Sequence, residues 1–209
     1  MGGRALRMAH GKPTSLVGAI GLLTLGILVT ACTPAAVEEP TVTWADGEPS
    51  GEWESDPWVE AVRASDTALS IATVTRDYTS DDLARTTAPA AIEAAAGLQR
   101  DEAEAGRFFT YPGPVPMIPV GVEEQGEQAV VTVCQARDWY LDAEQTEPPS
   151  LGEGRTVAYR VTREDDRYLV ETDTVTTESC DVSGAAVGLF DPQPDPTETY
   201  SPDDVKEPS

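Results

Sequence analysis

The chain has 209 residues, of which 37 are acidic and 14 basic, giving a formal charge of −23 at pH 7. A surface of that sign repels nucleic-acid phosphates and anionic headgroups, which argues against both as partners while saying little about fold. It reads as a solvated acidic face, with binding of a cation or a cationic partner as the alternative.

At the start, "MGGRALRMAHGK" carries Arg4, Arg7 and Lys12 and no acid, and an apolar stretch follows from Leu16 to Val29. This is the layout of an export leader, with its basic flank on the cytoplasmic side and a core shorter than the roughly 20 residues that span a bilayer. "LVTAC" closes it. Val29, Thr30, Ala31 and Cys32 resemble the lipobox of bacterial lipoproteins, which implies a signal peptide over residues 1–31 and a diacylglycerol on the Cys32 thiol. The expected result is a protein anchored by lipid on the outer face of the cell membrane, each buried methylene contributing roughly 0.8 kcal/mol. An uncleaved anchor helix with an incidental cysteine is the alternative. Removing residues 1–31 leaves 11 basic and 37 acidic residues, a charge of −26.

Residues 32–52 comprise that cysteine and a Pro-, Gly-, Thr- and acid-rich segment without sustained period, expected to be a tether. One α+β domain is then expected over residues 53–190. Asp56 before Pro57 is a candidate N-cap for a first helix, on which Trp58, Val62, Leu69 and Ala72 share an apolar face. Ser80 caps a second, and Pro89 begins an alanine-rich third that Gly106 closes. Four prolines in "FFTYPGPVPMIPVGVE" allow at most a short edge strand. "EQAVVTVCQAR" alternates as a strand should, and "RTVAYRVTREDDRYLVETDTVT" reads as two strands joined at Asp165-Asp166. Residues 191–209, acidic and proline-rich, are expected to be a disordered tail.

Once Cys32 is set aside, Cys134 and Cys180 remain, and in an exported protein an even pair reads as a disulfide. In the chain-entropy picture such a bridge contributes about 4 kcal/mol. Two free buried thiols are the alternative. No CxxC is present and the one histidine, His10, lies in the leader, so neither a metal nor a cofactor is expected.

Helices followed by an antiparallel hairpin ending in Arg163, Asp165, Asp166, Arg167, Tyr168, Leu169 and Val170 resemble the nuclear transport factor 2-like superfamily, also called SnoaL-like, over roughly residues 56–178. Asp166 stands where that family often has Gly, and Tyr168 where it often has Trp. The resemblance implies N-terminal helices packed on a curved antiparallel sheet to form a cone, an apolar cavity that in some members works with Asp and Tyr, and a homodimer through the open sheet face. Small actinobacterial lipoproteins are similar in layout.

What chemistry remains follows by elimination. No histidine survives cleavage, Lys206 is the sole remaining lysine and lies in the expected tail, and the thiols are spoken for. Asp66, Asp77, Tyr78, Asp138 and Tyr140 are the surviving acid-base candidates, each read first as a surface or capping group, so no catalytic residue is assigned. Trp139, Tyr140 and Phe108 to Tyr111 read first as core and second as pocket lining. The expected function is non-catalytic: binding a small apolar ligand, or docking on an envelope protein. An isomerase- or cyclase-like enzyme using Asp and Tyr is the alternative, and a structural spacer a third.

Overall fold

A computed structural model describes residues 39–208. The leader and Cys32 lie outside the described residues. Strand β1 (Thr41–Trp44) precedes three helices, α1 (Pro57–Thr75), α2 (Asp81–Thr86) and α3 (Pro89–Glu104). Strands β2 (Met117–Gln125), β3 (Gln128–Ala136), β4 (Glu153–Glu164), β5 (Arg167–Asp181) and β6 (Gly188–Asp191) follow, then a 3-10 turn at Pro202–Asp204. The four long strands form one antiparallel sheet in the order β2-β3-β4-β5, while β1 and β6 form a separate antiparallel ribbon. The architecture is α+β, with the helices packed on the sheet.

Local signals set the helix ends. The Asp56 carboxylate accepts from the Trp58 amide at 2.9 Å and Pro57 fills the first helical position, so one orphaned N–H is satisfied and at the other position there is none to satisfy. The Ser80 hydroxyl caps α2 in the same way, accepting from the Leu83 amide at 3.3 Å. α1 lays Trp58, Val59 and Val62 on Val131, Val133, Val157 and Val161 of the sheet, and the Trp58 ring meets the Tyr168 ring edge-on at 4.7 Å. α2 and α3 bury Leu83, Ile92 and Ala96 with Ala68 and Ala72 of α1 in a second cluster.

Proline does confine β2 to the sheet edge, yet the strand runs nine residues, longer than expected. It accommodates its proline through an irregularity between Pro119 and Gly121, which leaves Val120 unpaired and exposed. At the β4–β5 turn the left-handed residue is Asp165 (φ 56°), so position 166 carries no conformational demand for glycine. Cys134 and Cys180 are joined by a disulfide, with their Cα atoms 5.9 Å apart.

Two segments depart from expectation. Within the stretch read as a tether, Thr41 to Trp44 pair in register with Asp191 to Gly188, and Gly188 lies so close beneath Val42 and Trp44 that a Cβ there would fall 2.7 Å and 2.9 Å from their side chains. The expected disordered tail is instead docked. Tyr78 N–H donates to the Lys206 carbonyl and Lys206 N–H to the Arg76 carbonyl, Val205 is buried in the α1–α3 cluster, and Tyr200 stacks edge-on to Phe108 at 5.2 Å. Composition misled because a few well-placed contacts suffice: backbone hydrogen bonds and two apolar side chains hold a segment whose mean hydropathy is low.

Candidate functional site

Beyond Val62, α1 changes character on its sheet-facing side to Ser65, Asp66, Leu69, Ser70 and Thr73, and the space opens. A cleft of about 730 Å³ lies there. One wall is α3, whose Ala90, Ala91, Ala94 and Ala95 recur at helical spacing and present only methyl groups. The floor is the sheet. On β3, Ala129, Val131 and Val133 face α1 and the next inward residue is Gln135; on β4, Val161, Tyr159 and Val157 give way to Arg155, which sits directly opposite Gln135. A second break in register, between Arg160 and Val161 on β4, leaves Glu171 of β5 without a cross-strand partner, and its carboxylate accepts from the Thr162 hydroxyl at the cleft. The loops bearing Phe109, Tyr111 and Val115 and bearing Asp138, Trp139 and Tyr140 form the rim.

Asp66 is the cleft's most perturbed acid. Burial pushes its carboxyl up from 3.8 to about 7, against the opposing pull of the Val115 amide, which donates to it at 2.8 Å, and of the Arg63 guanidinium. It therefore exchanges its proton near neutral pH. Tyr78 is fully enclosed, and burial raises its phenol above the ordinary value despite a 3.2 Å hydrogen bond with the Thr73 hydroxyl.

Four of the five acid-base candidates thus gather at one place: Asp66, Tyr78, Asp138 and Tyr140 all line the cleft. Asp77 does not. It binds the Lys206 ammonium at 2.6 Å, and although partial burial works to raise it, Lys206 and Thr79 hold its carboxyl below the usual range. Among the aromatics, Phe109, Tyr111 and Tyr140 line the cleft, whereas Phe108 packs on Tyr200. Trp139 does both: it is buried, its indole N–H donates to the Gly113 carbonyl at 3.1 Å, and it borders the cleft.

Gln135, Arg155 and the alanine face of α3 were missed by sequence reasoning. A signal existed, because each of the first two puts a polar side chain where the alternation of its strand calls for an apolar one. Among the described residues, no group of three or more His, Cys, Asp or Glu could hold a metal ion, and no helix is long and apolar enough to cross a membrane. Compared with known protein families, characterised proteins and solved structures, the chain matches none.

Proposed function

We propose that this chain is a lipid-anchored extracytoplasmic protein whose domain, a cone of the nuclear transport factor 2-like kind, binds a small molecule with an apolar body and does not transform it. The cleft carries this reading. Its volume lies in the range of small-molecule sites, and its lining of methyl groups and aromatic rings with a few polar atoms is the usual composition of such sites. Three helices against a four-stranded antiparallel sheet whose strands are bent by register breaks support the cone. The leader's lipobox supports the anchor at Cys32.

The test is titration of the full chain, held in lipid nanodiscs with empty discs as blank, with the neutral dye N-phenyl-1-naphthylamine. Saturable fluorescence enhancement in the wild type, lost in Ala94→Phe, is the expected result. Enhancement that survives in Ala94→Phe, or none in the wild type, would sink the cleft as a binding site and leave docking on an envelope protein, or a spacer, as the function. Intact mass of the protein extracted from membranes tests the anchor separately: a mass beginning at Cys32 with added diacylglyceryl is expected, and a full-length unlipidated mass would overturn it.

One observation favours the enzymatic alternative. A cleft carboxyl that ionises near pH 7 is matched to general acid-base work. Turnover of a bound ligand, abolished by Asp66→Asn with binding retained, would replace the binding reading with an isomerase-like one.

A further inference from the structure

Two buried polar atoms at the cleft have no partner among the described residues: Nε of Arg155 and Oε1 of Gln99. A buried donor or acceptor left unmade is unfavourable, and for a charged group more so, so such atoms are satisfied by water or by whatever enters. Arg155 forms no ion pair among the described residues. It is also the only basic side chain among the described residues that line the cleft.

The acids among the described residues that line the cleft do not fill that role. Glu171 is engaged by the Thr162 hydroxyl, Asp66 accepts from the Val115 amide, and Asp138 is exposed at the rim in a left-handed backbone conformation. A cationic ligand would meet an uncompensated guanidinium at the floor. A planar carboxylate, by contrast, matches the donor fork of an arginine and gains charge-assisted hydrogen bonds there. The same cleft takes a flat apolar body, since the alanine face of α3 projects no side chain beyond a methyl while Tyr159 and Tyr111 offer ring surfaces.

Resting on the binding function proposed above, we infer that the cleft's ligand is a carboxylic acid with a flat, ring-sized apolar body, its carboxylate held by Arg155 and its body lying along Ala90, Ala91 and Ala94. Gln99 supplies an acceptor for a donor elsewhere on the ligand. Asp66, carrying its proton for much of the time at neutral pH, adds little repulsion to an incoming carboxylate.

The experiment compares 2-naphthoate with 2-naphthamide, which share a shape and differ in charge, by calorimetry at pH 6 on the full chain in nanodiscs with empty discs subtracted. Naphthoate is expected to bind at least tenfold more tightly than naphthamide. Arg155→Gln should abolish that preference, and Arg155→Lys should restore part of it. Equal affinities in the wild type, or a preference that persists in Arg155→Gln, would overturn the carboxylate inference while leaving the binding function intact. If neither compound binds, the carboxylate inference falls, and the dye titration decides the binding function separately. The wild-type comparison decides the matter even where Arg155→Gln fails to fold.

Discussion

α1 contains two halves that do opposite things against the same strands. Its first half sets Trp58, Val59 and Val62 on Val131, Val133, Val157 and Val161 and leaves no room. Its second half brings Ser65, Asp66 and Ser70 to a cleft that Gln135 and Arg155 also line. Each strand crosses from one regime to the other within two residues. Stability and recognition are therefore carried by different stretches of the same elements, and substitutions should separate them.

The largest effect is expected at the filled end. Trp58→Ala removes a buried indole and should destabilise by about 3–5 kcal/mol in denaturant unfolding, with a lower melting temperature. A loss under 1 kcal/mol would show that the two halves are not so different. Reduction of Cys134–Cys180, which closes a separation of 46 residues, should lower stability by about 4 kcal/mol in the chain-entropy model. Calorimetry with and without reductant reads this, and an unchanged melting temperature would contradict the pairing. Val205→Ala should lower stability by about 2 kcal/mol, since the docked C-terminal segment buries that side chain among α1 and α3.

At the open end the signs change. Asp66 has a folded pKa of about 7 against 3.8 unfolded, so the folded chain holds a proton that the unfolded chain releases. Its contribution to stability is full below pH 3.8 and declines as pH rises toward 7. Asp66→Asn removes that decline: the variant should match the wild type near pH 4 and melt at a higher temperature at pH 8. Other ionisable groups are the same in both proteins, so the difference isolates this carboxyl. A variant less stable at pH 8 would mean that Asp66 is held by its ionised form. Smallest of all is Ala94→Phe, which fills space already present and should change stability by under about 0.5 kcal/mol while blocking the cleft to dye.

Much of the filled end was legible beforehand, and little of the open end. Caps such as Asp56 and Ser80 act within three residues, and the alternation of Val131 and Val133 is local, so both can be read from short windows. The disulfide followed from cysteine arithmetic. A cleft is a deficit of volume between distant segments, and no window containing Ala94 reveals that Arg155 lines the same space. Asp66, Tyr78, Asp138 and Tyr140 could be named but not assembled, and Asp77 could not be separated from them because its partner, Lys206, is 129 residues away. The β1–β6 ribbon and the docked C terminus were hidden for the same reason: their evidence is long-range pairing by backbone groups that every residue carries.

The ribbon also decides how this protein bears load. A pull applied ahead of Glu39 reaches β1 before any helix, and β1 is held by four residue pairs with β6 and by Val42 and Trp44 clasping Gly188. From β6 the load continues through the Phe190 amide to the Pro112 carbonyl, at the loop ahead of β2. Tension on the N terminus thus meets a zipper of four residue pairs, set apart from the four-stranded sheet, before it meets α1.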